Sequence, residues 1–141
     1  MTETFDYIVV GAGSAGSVIG ARLSEDMDAS VLVLEAGGHD RMPLYKIPLM
    51  AGILFRHQYN NWWYQTEPEP GLDGRQLRWP RGKVLGGSNQ LNGMVYTRGH
   101  RLDYDTWRQM GNDGWGYDDV LPLFKKTEDF QGPDAAHHGT G

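Results

Sequence analysis

Apolar positions near the start of the chain fall in two unbroken blocks separated by an amphipathic stretch. Tyr7-Ile8-Val9-Val10 and Val31-Leu32-Val33-Leu34 contain no charged position, the pattern of parallel strands covered on both faces. Between them Ala15, Val18, Ile19 and Leu23 recur at helical spacing, with Arg22 and Glu25 on other faces, which predicts a helix. The expected order is strand, helix, strand.

After Gly37-Gly38 this regularity stops. Residues 39–81 read as an irregular excursion broken by Pro43, Pro48, Pro68, Pro70 and Pro80. Connections usually run about four to six residues, so a loop this long is expected to serve a purpose, such as crossing over a bound ligand. Within it Ile47 to Phe55 reads as a short apolar helix. Asn60-Asn61-Trp62-Trp63-Tyr64 concentrates three aromatic rings, which read either as core or interface or as a wall beside a cofactor. Further on, Asp103 to Met110 predicts a helix stopped by Gly111. Asp118 reads as the N-cap of a helix over Asp119 to Lys126, with Pro122 close enough to its start to be tolerated. Both helices are read as scaffold.

Two strands do not make a sheet covered on both faces, and doubly wound sheets have about five or six. The passage from Ala135 to Gly141 also looks like a loop with no element closing it. The expectation is therefore an α/β, Rossmann-like fold with a parallel sheet and helices, incomplete in this chain and completed by downstream sequence or by a second chain. The net charge of −5 and the scatter of the 13 Lys and Arg argue against a nucleic-acid partner. Without cysteine the chain offers no disulfide and no thiolate chemistry. No apolar run reaches membrane-spanning length and no basic leader precedes the first strand, so the cytoplasm is the expected compartment.

The chemistry lies at the junctions. Gly11-Ala12-Gly13-Ser14-Ala15-Gly16 follows the first strand directly. In such a turn Gly11 permits the tight bend, Gly13 lets backbone approach a pyrophosphate, and Gly16 lets helix and strand pack closely. The N–H groups that open the helix then face the phosphates, where the helix dipole also favours negative charge. Glu35 ends the second strand, placed to accept the hydroxyls of an adenosine ribose and to repel a 2′-phosphate. FAD or NAD fits this arrangement and NADP does not. A second glycine-rich passage, Gly82-Lys83-Val84-Leu85-Gly86-Gly87-Ser88, offers further close-approach amides and a hydroxyl, suited to a pyrophosphate or the polar edge of a flavin.

On these residues the chain resembles the glucose–methanol–choline (GMC) oxidoreductases, FAD-dependent alcohol oxidases and dehydrogenases, and most of all their bacterial choline-dehydrogenase-like members. The resemblance runs from Phe5-Asp6-Tyr7-Ile8-Val9-Val10-Gly11 through Asn61-Trp62-Trp63-Tyr64-Gln65-Thr66-Glu67-Pro68 to His138-Gly139-Thr140-Gly141. Its most specific part is Gly82, Lys83, Leu85, Gly86, Gly87, Ser88, Asn92, Tyr96, Gly99 and Asp105 at the family's signature spacings. The chain departs from the family at Asn89 and Gln90, where a second small hydroxyl residue is usual; their amides can still donate to phosphate or flavin oxygens.

The resemblance implies an amino-terminal portion of a FAD-binding domain. Its segments are a dinucleotide motif over 1–38, the excursion over 39–81, a flavin clasp over 82–105, and helices and loop over 106–141, with the substrate domain absent. It implies cofactor contacts at Gly11, Gly13, Ser14, Ala15, Gly16, Glu35, Ala36, Val84, Gly87, Ser88, Asn92, Gly93, Met94 and Val95. Leu91 stands where choline oxidase has a flavin-bonded histidine, so the FAD is expected to be non-covalent. The implied reaction is oxidation of an alcohol CH–OH group by hydride transfer to the flavin, with oxygen, a quinone or a dye as acceptor. Its base is a histidine far along the chain, which none of His39, His57, His100, His137 and His138 matches, so no catalytic residue and no metal ligand is expected here. Arg98 and His100 read either as active-site residues or as a charged surface loop. Oxidase or lyase chemistry of the same family, and a non-catalytic nucleotide-binding fragment, stand as alternatives.

Overall fold

In a computed structural model the chain is described over residues 3–132 and 137–140; Ala135, Ala136 and Gly141 of the expected closing loop lie outside the described residues. The chain divides into two compact units, Met1–Val95 and Tyr96–Gly141.

The first unit begins as its apolar pattern predicts. β1 (Tyr7–Val10) and β2 (Val31–Leu34) pair in parallel, with Tyr7 opposite Val31 and Val10 opposite Leu34. The connection is α1 (Ser14–Leu23), whose buried Gly20 lets the helix settle on Val33: a Cβ there would stand 3.0 Å from Val33 Cγ2. A reciprocal clasp fixes where the strands start. The Asp6 carboxylate accepts the Ser30 N–H at 2.8 Å and its hydroxyl at 2.6 Å, while Ser30 Oγ accepts the Asp6 N–H at 3.0 Å. Those bonds hold the Asp6 carboxyl below the usual carboxylate range.

The expected burial of both strand faces is not met within this chain. Ile8 is 58% exposed and Val10 84%, because a two-stranded ribbon with one packed helix has no further layer to cover its remaining apolar face.

The long excursion carries more order than its proline content suggested. Short 3-10 turns at Pro43–Lys46 and Pro48–Met50 each start on a proline, where the missing N–H costs nothing. They lead into α2 (Ala51–Arg56), which buries Leu54. A hairpin missing from the sequence reading follows, with β3 (Tyr64–Gln65) antiparallel to β4 (Arg78–Trp79). Its strands are two residues long and its turn lacks a tight-hairpin dipeptide, so neither period nor turn chemistry announces it. Buried Asn61 organises the entry, its side-chain oxygen accepting the N–H of Trp63 at 3.0 Å and of Arg81 at 2.9 Å.

The second unit is a helical pair. α3 (Arg101–Gln109) starts two residues before the expected position: His100 Nδ1 accepts the Leu102 N–H at 3.2 Å, and Asp103 returns the contact to the His100 N–H at 2.8 Å. Gly111, with φ +98°, closes it as predicted. α4 (Tyr117–Thr127) also starts early, and its N-cap is Gly116 instead of Asp118. The Asp118 carboxylate instead receives Arg101 at 2.8 and 3.0 Å, while Asp119 accepts the Gly116 N–H at 3.0 Å. With the earlier start Pro122 lies beyond the first turn and removes one ladder bond. Between the helices, buried Tyr104 meets Trp107, Tyr117 and Phe124 at ring-centroid distances of 5.5, 6.2 and 5.8 Å.

Glu128, buried at the end of α4, ties the closing segment down. Its carboxylate takes Arg98 at 2.5 Å, His138 Nδ1 at 2.8 Å and the Gly139 N–H at 3.0 Å. Gly139 has to be glycine, since a Cβ would fall 1.8 Å from the Lys125 carbonyl oxygen. No helix among the described residues is long and apolar enough to cross a membrane.

The hydrogen bond from His138, then that from Gly139 and the Arg98 charge, hold the Glu128 carboxyl below its ordinary value. A carboxyl depressed by folding stabilises the folded state above its unfolded pKa, and that gain is lost as pH falls through the folded value. Acid titration followed by tryptophan fluorescence is therefore expected to show a transition below the ordinary carboxylate range. In Glu128→Gln the unit is less stable at neutral pH and this acid-dependent loss is reduced.

Candidate functional site

The turn between β1 and α1 is built by backbone alone. Gly11 adopts φ +92° and donates its N–H to the Leu34 carbonyl at 2.7 Å, locking the turn to the end of β2. Gly16 permits helix and turn to touch: a Cβ there would lie 1.8 Å from Gly11 O. No side chain caps α1, and among the described residues no acceptor sits on the N–H groups of Gly13, Ser14 and Ala15. Three donors and the positive end of a helix dipole are thus left for an anion.

Glu35 bridges two loops. Its Oε2 accepts the Ala12 N–H and its Oε1 the Gly37 N–H, both at 2.8 Å. This strut is a role the sequence reading did not foresee. Each carboxylate oxygen has a second acceptor site, so the group can still receive hydroxyls from a ligand.

The second glycine-rich passage closes directly on the first turn. Gly86 donates its N–H to the Ala12 carbonyl at 2.8 Å. Gly87, at φ +60°, approaches so closely that a Cβ would stand 2.8 Å from Gly13 Cα. Ser88 Oγ accepts the Gly82 N–H at 3.0 Å. On the other side Leu85 donates to Gly38 O at 2.9 Å, and a Cβ at Gly37 would strike the Lys83 carbonyl carbon at 2.1 Å. The two passages enclose a cleft of about 520 Å³.

Of the predicted site residues, Gly11, Gly13, Glu35, Ala36, Gly87 and Ser88 line this cleft. Ser14 and Ala15 open α1 with exposed side chains, and Gly16 serves the packing beneath the turn. Val84 is 0% exposed, so its side chain is core and does not line the cleft. Asn92 and Gly93 lie instead on a neighbouring cavity of about 340 Å³, with Ala51, Phe55 and Leu91. Met94 and Val95 are exposed; Met94 sits at φ +55°, its N–H on Asn92 Oδ1 at 2.8 Å. At the departure from the signature, Asn89 Oδ1 accepts from Asn92 Nδ2 at 3.2 Å and Gln90 Nε2 donates to the Leu85 carbonyl at 3.4 Å.

Val10, Leu34, Gly82 and Trp62 also line the cleft and were not named as site residues. The strand-end pair follows from the register of β1 and β2. Trp62 was detectable only as one member of an aromatic cluster, because its placement depends on the unrecognised hairpin. Glu35 is the one charged side chain in the lining. Arg98 is engaged with Glu128, and His100 caps α3. The described residues contain no cluster of His, Cys, Asp or Glu able to hold a metal.

The family described as GMC oxidoreductase matches residues 5–138. An oxygen-dependent choline dehydrogenase of Sinorhizobium fredii is 51% identical over 136 residues, covering 96% of this chain and 25% of the relative. Among solved structures, pyridoxine 4-oxidase from Mesorbium loti superposes with a TM-score of 0.89 at 40% identity, covering 98% of this chain and 27% of its own. A formate oxidase of Aspergillus oryzae, studied for modification of its FAD, gives 0.82 at 31% identity, covering 97% and 25%. The chain therefore spans about a quarter of the length of the relatives it matches.

The glycine contacts make a graded prediction. Gly16→Ala, which drives a methyl group into the Gly11 carbonyl, is expected to cost about 1–3 kcal/mol or more in urea unfolding. Gly93→Ala, with open space around its Cβ position, should stay within about 0.5 kcal/mol of the parent.

Proposed function

The chain belongs to the GMC oxidoreductase family, and from that premise we propose that it is the FAD-gripping part of a longer flavoenzyme that oxidises the CH–OH group of an alcohol. The observation that carries this reading is the meeting of Gly13 with Gly87 at the mouth of a cleft that also holds Glu35 and Ser88. Backbone stripped of side chains on both sides suits the close approach of a pyrophosphate. The acceptor-free N–H groups of Gly13, Ser14 and Ala15 suit its charge. Glu35, already fixed by two amides, presents its remaining lone pairs to a ribose.

FAD held in this way supplies the hydride acceptor for the alcohol carbon. This chain's own contribution is binding and orientation. Gly11, Gly13, Ser14, Ala15, Gly87 and Ser88 receive the phosphates, Glu35 and Ala36 the adenosine end, and Asn92 to Val95 the flavin side. Gly16 and Val84 support the turn and clasp from behind. Leu91, apolar and buried, offers no group for a bond to the flavin, which favours non-covalent attachment. The base and the residues that choose the alcohol belong to the rest of the protein, which also supplies the cover for the exposed face of β1 and β2.

The full-length protein is expected to purify with a flavin spectrum, to release the flavin into the supernatant on acid precipitation, and to bleach when an alcohol substrate is added without oxygen. Glu35→Gln is expected to weaken FAD binding about 10- to 100-fold, the worth of hydrogen bonds to a charged group. A colourless protein that takes up no FAD overturns the reading, and flavin retained in the acid pellet overturns its non-covalent part.

A further inference from the structure

Asn92-Gly93 is the one asparagine–glycine step in the sequence, and both residues are exposed. After every other asparagine comes a residue with a side chain, which crowds the approach of its backbone nitrogen to the amide carbon. At Gly93 nothing crowds it. A Cβ there would meet no atom within 4 Å, and among the described residues the Gly93 N–H donates to no acceptor. The Asn92 side chain is curled back over this same backbone. Its Oδ1 accepts the Met94 N–H at 2.8 Å, closing a turn around Gly93, while its Nδ2 donates to Asn89 Oδ1 at 3.2 Å. The Met94 N–H therefore polarises the amide carbonyl and faces the oxygen on which charge builds when a nucleophile adds to Cγ.

We propose that Asn92 is a site of spontaneous deamidation in the flavin-free protein, and that bound FAD protects it. Hydroxide removes the Gly93 amide proton and the nitrogen adds to Asn92 Cγ. The Cγ–Nδ2 bond then breaks, and Nδ2 takes up a proton and leaves as ammonia. Water opens the resulting five-membered imide at one carbonyl to aspartate or at the other to isoaspartate. One water is consumed and one ammonia released, with no electron transfer. The product places a negative charge, and in isoaspartate an extra main-chain carbon, on the cavity that Asn92 and Gly93 line with Leu91 and Phe55. Protection by FAD rests on the reading of Asn92 to Val95 as flavin contacts; the deamidation itself rests on the Asn92-Gly93 geometry alone.

The test is incubation of flavin-free full-length protein in mildly alkaline buffer, followed by peptide mapping with mass spectrometry. The peptide carrying Asn92 is expected to gain about 1 Da and to split into aspartyl and isoaspartyl forms. The peptide carrying Asn112, which precedes Asp113, should change at least about 10-fold more slowly, and Gly93→Ala should slow the Asn92 reaction by a similar factor. FAD at about 100 times its Kd should slow it up to about 100-fold, because only the flavin-free fraction reacts. Asn92→Asp carries the product charge from the start and is expected to bind FAD about 10-fold more weakly; aged parent protein should approach that affinity. An Asn92 peptide that gains mass no faster than the Asn112 peptide overturns the proposal. Equal rates with and without FAD, in protein whose absorbance shows the flavin bound, overturn the protection. If the parent takes up no FAD yet still gains mass at Asn92, the flavoenzyme reading falls and the modification site stands.

Discussion

Everything in the cleft depends on backbone touching backbone where side chains would keep the segments apart. Four such contacts recur: Gly16 beneath the Gly11 carbonyl, Gly87 against Gly13, Gly37 against Lys83, and Gly82 against the Gly87 carbonyl. Each would be broken by a single Cβ. Glycines are costly to order, and the chain places them where two irregular segments must converge on one volume. The cost is offset by hydrogen bonds that the approach makes possible, from Gly11 to Leu34, Gly86 to Ala12 and Leu85 to Gly38, with fully buried Val84 beside them.

Glu35 makes that convergence a single unit. By holding Ala12 and Gly37 at once, it joins the loop after β1 to the loop after β2, and those are the loops on which the second glycine passage closes. The same carboxylate supports the wall and lines the cleft. Its two backbone donors explain why a charged group is tolerated among glycines and aliphatic strand ends, and its place in the lining is consistent with the proposed role.

The first strand–helix–strand unit was legible residue by residue, since its apolar blocks and helical spacing leave one arrangement open and Gly11 and Gly37-Gly38 punctuate it. The two glycine passages stand out in the sequence as places where backbone can approach closely, and the structure brings them together as that reading requires. The hairpin of β3 and β4 was not legible, because two-residue strands carry no period and their register is set by buried Asn61. The start of α4 was misplaced for a related reason. Asp118 has the right chemistry for a cap, but a partner on another helix, Arg101, takes its carboxylate, and tertiary pairing overrides local preference. Val84, named as a cofactor contact, has a fully buried side chain, a matter of packing that the sequence does not show.

The distance along the chain between Gly13 and Gly87 sets an order of assembly. β1, α1 and β2 form from near neighbours, whereas joining the two glycine turns closes a loop of roughly seventy residues, whose entropy is repaid only when the last contacts form. During synthesis β1, α1 and β2 leave the ribosome well before the second glycine passage that completes the cleft. Until Ser88 has emerged, the nascent chain has one jaw of its grip and nothing for it to close against.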